Sequence, residues 1–496
     1  MTVGAGRLLK TTRVVGASRR HPTVFSPDRS DQPRRADWFP PRGHRYIPAL
    51  PCDFWNPSRP GRDRMSSATA GSSASFRECA LMSRSLVWGL LIAALPALPV
   101  ARGAEPQRWV LSSAAENRRT ETFHLDGAKL TPQQPSWRVD QKTLHGGRQE
   151  GCELLVIDNG RLRITLIPTR GMSVLEVVAG DLRLGWNSPV REVVNPREIN
   201  LHSRGGLGWL EGFNEWLVRC GLESNGHPGT DKFINNTGDE ASLELTLHGR
   251  IGNIPASEVE VLVDPAPPHR ITVRGTVWER SFYGPNLKLQ TELSTEPGTL
   301  EFRISDTITN HGAQEQEFEI LYHANYGAPL LQAGAEFLAP VKRVVPFNAH
   351  AAKSVAKYAT FAGPTVGFTE EVYCLDPLAD EHHRTLIALR NKAGDRGASI
   401  SFNVQELPHL TLWKNTAAEA DGYVTGLEPG TNFPNNRRIE RKLGRVPKLA
   451  PGATRTATLD FGLLPDAAAV KDTAERIARL QSRQKPVVET EPEKKE

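Results

Sequence analysis

The sequence predicts an all-β protein whose central part is one large sandwich of two antiparallel sheets. Apolar and polar residues alternate in many short runs, as in residues 243–247 and 271–278, which is the period of a half-buried strand. Turn residues separate these runs at short intervals, and a helical period is nearly absent before Pro465. Many strands in one long unit favour two packed sheets over a string of small domains.

The predicted strands follow one another along the central part of the chain. Residues 153–157 and 161–167 flank Asp158-Asn159-Gly160, and two such runs joined by Asn-Gly are typical of a β-hairpin. The other runs cover residues 243–247, 258–263, 271–278, 287–293, 300–308, 318–322, 385–389, 398–404, 410–415 and 456–461. We therefore predict one sandwich domain over residues 105–465.

One clear helix is predicted, at the C-terminal end of the sandwich. Pro465 and Asp466 are typical of a helix start, and Val470, Ala474 and Ile477 fall on one helical face. We expect this helix over residues 466–483. The polar and charged residues 484–496 are predicted to be a disordered tail.

The N-terminal region predicts export. Residues 1–81 have scattered Arg and Pro without an apolar period and are expected to be disordered. Residues 82–104 then form a short basic start at Met82, an apolar run and a small-residue end, which is the pattern of a signal peptide too short to span a membrane. Translation is expected to begin at Met82; a genuine disordered extension before a membrane anchor is the alternative. Either reading predicts a periplasmic or secreted protein, with no stable membrane span after signal cleavage.

Charge is unevenly distributed along the chain, whose formal net charge is +5. Residues 1–81 contain 14 basic and 6 acidic residues, and residues 82–104 add two arginines, so residues 105–496 carry a net charge of −5. The mild negative charge of residues 105–496 argues against nucleic acid as a partner.

The sequence predicts neither a metal nor a cofactor. No metal-ligand spacing, Gly-rich nucleotide loop or P-loop occurs, and the adjacent His382 and His383 lie in a polar stretch expected to be solvated. Three cysteines fall in the exported part, Cys152, Cys220 and Cys374. They allow at most one internal disulfide with one free thiol, and the sequence does not determine the pair.

Residues 201–229 form the least regular stretch of the chain. Residues 205–213 alone contain four glycines and two large aromatic residues, one of them Trp209. Glycines that let a backbone approach a ligand, beside aromatic faces, suit a sugar; a buried loop that packs on a sheet is the equal alternative. Arg170 and Trp186 lie in similar, weaker segments, so these three side chains are candidate substrate contacts.

Three residues form a candidate acid–base set. Glu428 lies in residues 425–435, a segment rich in Gly, Pro and Asn that is expected to be a stiff loop after a strand. His248 and His323 each end a predicted strand. Imidazoles titrate near neutrality and can donate a proton while a carboxylate accepts one. A solvated loop glutamate and two structural histidines are the alternative.

The order and local context of these residues resemble the aldose 1-epimerase (galactose mutarotase) superfamily. Residues 247–249 are similar to its His-Gly segment, residues 306–312 and 323–327 to its strand and His-x-x-Phe/Tyr segment, and residues 427–433 to its Glu-Pro-Gly-x-x-Phe loop. With the Gly-rich stretch and residues 170–172, the chain looks closest to an uncharacterised branch, DUF4432. The resemblance spans roughly residues 140–465.

This resemblance implies a galactose mutarotase-like β-supersandwich and an enzyme that interconverts sugar anomers without a cofactor. Glu428 would take the proton of the anomeric hydroxyl, His323 would protonate the ring oxygen, and His248 would hold the substrate. The implied partner is a small sugar or oligosaccharide, and the oligomeric state stays undetermined.

The sequence departs from the family pattern at several positions. Arg250 replaces a glycine, which suggests an anionic sugar such as a uronate, unless Arg250 is a structural ion-pair partner. Residues 324–327 replace the segment that normally follows the catalytic histidine, which makes Asn325 a candidate substrate contact. Asp376 is our assignment for the family's sugar-binding aspartate. A glycoside hydrolase or lyase, and a non-catalytic carbohydrate-binding protein, remain the alternative functions.

Overall fold

Two large sheets face each other across one continuous apolar core. The computed structural model describes residues 105–131 and 135–495. The predictions for residues 1–81 and 82–104 lie outside the described residues. Neighbouring strands of both sheets pair antiparallel with one exception at an edge, so the predicted all-β sandwich is confirmed.

The described ranges contain 27 strands and four α-helices. The strands are β1 (Gln107–Ser113), β2 (Arg118–Arg119), β3 (Phe123–Asp126), β4 (Arg138–Thr143), β5 (Glu153–Asp158), β6 (Arg163–Ile167), β7 (Ser173–Ala179), β8 (Leu182–Leu184), β9 (Leu217–Leu222), β10 (Gly229–Ile234), β11 (Glu240–Leu245), β12 (Glu258–Val263), β13 (Ile271–Arg280), β14 (Asn286–Thr295), β15 (Glu301–Asn310), β16 (Gln316–Glu317), β17 (Glu319–Tyr326), β18 (Glu336–Leu338), β19 (Val341–Pro346), β20 (Glu371–Pro377), β21 (Arg384–Arg390), β22 (Gly397–Asn403), β23 (His409–Asn415), β24 (Val424–Gly430), β25 (Lys448–Leu449), β26 (Thr454–Leu464) and β27 (Val487–Val488). The helices are α1 (Ser203–Gly206), α2 (Ala349–Ala352), α3 (Arg437–Lys442) and α4 (Ala467–Gln481).

The strands are distributed over two large and two small sheets. The ten-stranded sheet has the order β18-β21-β22-β26-β15-β14-β13-β12-β1-β2, and the thirteen-stranded sheet has the order β27-β19-β20-β23-β24-β17-β9-β7-β6-β5-β4-β3 with β8 beside β7. The hairpin β10–β11 and the pair β16–β25 form the small sheets. Alternation buries one face of each large sheet in the core between them, as in the cross-strand pairs Val273–Leu293 and Val277–Leu289.

The face of the thirteen-stranded sheet that points away from the ten-stranded sheet carries the side chains of interest. In β17, Ile320, Tyr322 and Ala324 belong to the main core, whereas Leu321 belongs to a separate cluster on the other face, which we call the outer face. Because side chains alternate along a strand, His323 also lies on the outer face. Strand register places it in one row across the sheet with its counterparts, Val218 of β9, Glu428 of β24, Thr411 of β23 and Cys374 of β20.

The C-terminal helix is confirmed as α4. The Asp466 carboxylate accepts a hydrogen bond from the Ala469 backbone N–H at 2.9 Å, which is the N-cap that the sequence predicted. Val470 and Ile477 are buried, and Ile477 packs against Leu386 of the ten-stranded sheet.

The tail differs from the predicted disorder. Val487–Val488 pairs in parallel with β19, and the Glu493 carboxylate accepts a hydrogen bond from Arg445 at 3.0 Å. The physical reason is that β19 would otherwise end the sheet with unpaired backbone groups, which bind an extra strand readily. Charge composition alone does not reveal such an edge.

Two further points concern the described residues alone. Cys152, Cys220 and Cys374 are all buried free thiols, so none of the disulfides that the sequence allowed is formed. Within the same ranges, every helix is too short or too polar to cross a membrane.

Candidate active site

Glu428 lies in the middle of a sheet and not in the predicted loop. Strand β24 pairs with β23 on one side and with β17 on the other. Gly and Pro predicted a loop because they normally interrupt strands. Here Pro429, which has no N–H, falls where the β24–β17 ladder is interrupted between Leu321 and Ala324. Gly426 leaves the space that the Glu428 carboxyl occupies, since a Cβ at that position would collide with Oε1.

Register brings the predicted acid and base into contact. His323 Nε2 lies 3.2 Å from Glu428 Oε1, and the two side chains are 5% and 2% exposed. Their alignment is not that of a hydrogen bond, and Oε1 has no hydrogen-bond partner among the residues that the structure describes. Burial raises the pKa of Glu428 well above its usual value, and the negative charge of Glu370 raises it further. Burial lowers the pKa of His323 well below its usual value. Burial thus favours the neutral form of both groups, a protonated carboxyl beside a neutral imidazole.

Asn325 determines which nitrogen of His323 carries the proton. The Asn325 amide N–H₂ donates to the carbonyls of Glu215 and His323, both at 3.0 Å. Its Oδ1 must therefore accept the remaining hydrogen bond, 2.7 Å from His323 Nδ1. Because Nδ1 holds the proton, Nε2 presents its lone pair to Glu428.

His248 completes the predicted set. It adopts a left-handed backbone with φ of 59°, and its ring centre lies 5.3 Å from that of His323 in an edge-on arrangement. Its Nδ1 lies 2.9 Å from the Asn225 carbonyl, an acceptor that requires the proton on Nδ1. Burial lowers the pKa of His248 to about 4. The side chain therefore stays neutral at pH 7 and leaves Nε2 as a hydrogen-bond acceptor.

Aromatic rings surround the histidines. Trp209 lies 4.6 Å from the His248 ring, and Phe213 and Trp413 lie 5.3 and 5.4 Å from the His323 ring. Trp209 is only 1% exposed. Its indole packs against His248 and lacks the exposed face for sugar stacking that the Gly-rich stretch had suggested. The buried Trp216 of the same stretch packs in the main core. For these two tryptophans, the packing alternative describes the structure.

Arg170, Asn325 and Trp186 are buried beside the acid–base pair. Arg170 is fully buried and donates to the Glu215 carboxylate at 2.6 Å. The Glu215 carbonyl in turn accepts hydrogen bonds from Asn325 and from the Trp186 indole N–H. These hydrogen bonds connect the three side chains to Glu215 and His323, and their predicted role as substrate contacts stays a prediction.

Arg250 and Asp376 lie apart from the acid–base pair. Arg250 is 43% exposed, lies 3.9 and 3.7 Å from the carboxylates of Glu223 and Glu279, and lines a separate cavity of about 790 Å³. These contacts are those of the ion-pair alternative, and a substrate role for Arg250 stays a prediction. Asp376 sits on β20, two strands from β24, where it pairs with Arg343 at 3.0 Å and lies 3.5 Å from His409.

Several residues of the site were missed by sequence reasoning. Phe213 and Trp413 lie beside His323, and Glu370 accepts the hydrogen bond of the Trp413 indole. The Asn225 carbonyl contacts His248, and the Glu215 carbonyl contacts Asn325. Phe213 and Glu215 fall in the Gly-rich stretch, which was the available signal. Trp413 lies on the predicted strand that leads to Glu428, at an outward position of the alternation. A backbone carbonyl has no sequence signature.

No group of three or more His, Cys, Asp or Glu side chains in residues 105–131 and 135–495 is arranged to hold a metal ion. His382 and His383 are exposed, as expected for a solvated stretch.

Comparison with known proteins identifies the family. The sequence profile of a family described as a domain of unknown function, DUF4432, matches residues 149–463. The chain belongs to the DUF4432 family. A crystal structure of a putative aldose 1-epimerase from Klebsiella pneumoniae is 45% identical to this DUF4432 protein, covers 79% of this chain and 100% of its own, and has a TM-score of 0.75. The resemblance and the galactose mutarotase-like fold are thereby confirmed.

More distant solved structures also match this DUF4432 protein. A galactose mutarotase-like protein from Clostridium acetobutylicum is 11% identical, with 69% of this chain and 98% of that chain covered and a TM-score of 0.46. A galactose 1-epimerase from Lactobacillus acidophilus is 14% identical, with 66% and 99% covered and a TM-score of 0.42. No curated protein sequence matches the chain.

Proposed function

We propose that this DUF4432 protein is an aldose 1-epimerase-like isomerase that interconverts sugar anomers by acid–base ring opening. The observation that carries the proposal is the 3.2 Å contact between His323 Nε2 and Glu428 Oε1. Similarity to the Klebsiella structure, described as that of a putative aldose 1-epimerase, supports it. A sugar or oligosaccharide is the partner that this chemistry needs.

The side-by-side acid and base suit the two oxygens that react. In a pyranose, the hydroxyl oxygen O1 and the ring oxygen O5 are bonded to the same carbon, C1. One proton must leave O1 and one must reach O5, so the two catalytic groups must also be neighbours. Contact between Nε2 and Oε1 meets this requirement.

The cycle uses one proton of the pair. When substrate binding aligns the two groups, transfer of the Glu428 proton to His323 gives a carboxylate and an imidazolium. Glu428 then takes the proton of O1–H while His323 gives its Nε2 proton to O5; the C1–O5 bond breaks and C1=O1 forms. After rotation about C1–C2, the reverse transfers close the ring on the other face of C1. His248, neutral and with Nε2 free to accept, holds a sugar hydroxyl.

The alternatives have less support from the geometry. Most glycoside hydrolases use two carboxyl groups about 5–9.5 Å apart, whereas Glu428 contacts an imidazole. A protein that only binds sugar gains nothing from an unpartnered buried carboxyl oxygen, which costs about 1–3 kcal/mol of stability. A catalytic proton acceptor explains that cost.

An NMR time course of freshly dissolved α-D-glucose and α-D-galactose tests the proposal. We expect faster equilibration of the anomers with wild-type protein. Glu428→Gln keeps the size of the side chain but removes the base, so the rate should fall at least about 100-fold. Glu419→Gln, at an exposed glutamate before β24, is the control and should equilibrate sugars like wild type. Methyl α-D-galactopyranoside is added as a second substrate: release of methanol from it would indicate a hydrolase, and shifts of the sugar signals without turnover would indicate a binding protein. Either result without anomer conversion would refute the isomerase.

We also propose that the protein is exported through the signal peptide that begins at Met82. The apolar run and small-residue end of residues 82–104 support this. Mass spectrometry of native protein should find a first residue near Ala104 or Glu105. Peptides from residues 21–64 would contradict it.

A further inference from the structure

The tryptophans near the site differ sharply in exposure. Trp209 and Trp186 are 1% and 7% exposed, so neither indole can offer a face to a ligand. Trp413 is only half-buried. Among these three, Trp413 alone has ring surface that a sugar can reach.

Trp413 also lies where a sugar must rest to react. It projects from the outer face of β23, directly opposite Gly426 of β24, the position where the Glu428 carboxyl is accommodated. Its ring centre is 5.4 Å from that of His323 and 6.2 Å from that of Phe213. A pyranose whose C1 meets Glu428 and His323 therefore has the indole beside its ring.

A carboxylate holds this indole in place. The Trp413 Nε1–H donates to Glu370 Oε2 at 2.8 Å. The segment before Glu370 is itself attached to the turn after β23, since the Thr365 backbone N–H donates to the Thr416 carbonyl at 3.0 Å and the Tyr423 hydroxyl donates to the Ala362 carbonyl. The orientation of the indole is thus determined before any ligand binds, which lowers the entropic cost of binding.

We propose that Trp413 is the platform on which the sugar ring lies, and that Glu370, which holds the indole, makes the site select neutral over anionic pyranoses. This inference rests on the proposed function. An indole matches the apolar C–H face of a pyranose, and an exposed carboxylate can accept hydrogen bonds from neutral hydroxyls.

The positions of the charged residues favour a neutral ligand at the acid–base pair. The Glu370 carboxylate accepts the hydrogen bond of the Trp413 indole, and its negative charge raises the pKa of Glu428. Lys495 lies over the Phe347 ring, 3.4 Å from its centre, and donates to the Phe347 carbonyl at 3.0 Å. Arg250, from which the sequence suggested a uronate, is beside Glu223 and Glu279 at the other cavity. A uronate carboxylate at the acid–base pair would therefore meet Glu370 without Arg250.

Two substitutions of Trp413 test the platform. Affinity for D-galactose and D-glucose would be measured by NMR titration with Trp413→Leu and Trp413→Phe, with Trp278→Leu as matched control. Trp278 is equally half-buried but lies on β13 of the other sheet, under Arg280. We expect Trp413→Leu to weaken sugar affinity about 10- to 100-fold, Trp413→Phe to weaken it less than Trp413→Leu, and Trp278→Leu to leave it unchanged. Melting curves verify that each variant is folded.

Glu370→Gln tests the selectivity. The amide oxygen can still accept from the Trp413 indole, so only the charge is lost. We expect the affinity ratio of D-galactose to D-galacturonate to fall about 10-fold, the size of one close charge interaction, and this change to shrink at high salt.

The outcomes separate this inference from the proposed function. Unchanged affinity in folded Trp413→Leu, or an unchanged galactose-to-galacturonate ratio in Glu370→Gln, would overturn it even if anomer conversion is observed. Conversely, wild-type binding that depends on Trp413 without anomer conversion would support the platform and refute the isomerase. Failure of every pyranose to bind would overturn both.

Discussion

Two buried carboxylic acids lie against opposite faces of strand β17, and their surroundings differ completely. On the inner face, Asp306 accepts hydrogen bonds from the Arg219 guanidinium and, at 2.9 Å, from the Tyr322 hydroxyl. On the outer face, Glu428 lies beside neutral His323, and its Oε1 has no hydrogen-bond partner within the described ranges. Tyr322 and His323 are consecutive residues, so one strand serves both groups.

The difference separates stability from reactivity. Arg219 also donates to the Met172 carbonyl and the Thr291 hydroxyl, so the inner pair is charged, satisfied and connects the two sheets. Such a pair resists proton transfer. The outer pair lacks a cation, which leaves a proton free to move between a carboxyl and an imidazole. A buried acid is a candidate catalyst when its hydrogen bonds are incomplete.

The largest expected effect comes from breaking the inner pair. Arg219→Met leaves Asp306 buried without its cation, so the free energy of unfolding should fall by about 3–5 kcal/mol. Urea denaturation of wild type and variant measures this loss. Arg303 of β15 is 56% exposed and pairs with Asp460 of β26. Arg303→Met should lower the free energy of unfolding by about 1 kcal/mol or less. Equal losses in both variants would invalidate the contrast.

The next effect concerns the outer pair and its support. Asn325→Leu removes the acceptor of His323 Nδ1, so both tautomers of the neutral ring become populated and turnover should fall about 10-fold or more. Long-range ¹H–¹⁵N correlation spectra should show His323 with its proton on Nδ1 in wild type and on both nitrogens in the variant. Because this spectrum does not depend on turnover, a wild-type proton on Nε2 would contradict the assignment directly.

A smaller effect is expected from the pH dependence of stability. His248 has a folded-state pKa of about 4 and an ordinary unfolded-state pKa near 6.5. Between these values the unfolded chain binds more protons, so His248 lowers stability as the pH falls from about 6.5 to about 4. Urea denaturation at several pH values in this range gives the free energy of unfolding at each pH. We expect this free energy to change less with pH in His248→Gln than in wild type. The exposed His382→Gln should retain the wild-type slope.

The smallest effect on stability should come from the Glu428 carboxyl. Because the pKa of Glu428 is raised in the folded state, its contribution is complete below pH 4.5 and is lost as the pH rises through the folded value. The side chain in Glu428→Gln does not titrate, so this variant does not lose that stability as the pH rises. At pH 7 the variant should be at least as stable as wild type, with the advantage shrinking towards pH 4. A variant much less stable at pH 7 would show that Glu428 is structural, like Asp306.

Local patterns located twelve of the 27 strands in the described residues and the three residues of the acid–base set. The alternation in residues 271–278 and 287–293 corresponds to β13 and β14, because a half-buried strand needs that period. Glu428, His323 and His248 were found through short motifs. Glu428 was nevertheless predicted in a loop, because Gly426 and Pro429 usually interrupt strands. The pairing of β24 with β17 and β23 overrides that preference.

By itself, the sequence determined the half-buried strands that alternate regularly, the side chains that can carry acid–base chemistry, and the start of the terminal helix. Only the tertiary structure decided that β17 and β24 are neighbours, that His323 faces Glu428, and that Arg170 and Asn325 are buried beside this pair. It also decided that Trp413 remains half-exposed while Trp209 is buried. The physical reason is that alternation assigns a side chain to a face of its strand. It carries no information about which distant strand will lie beside that face, and pKa, tautomer and exposure all depend on that neighbour.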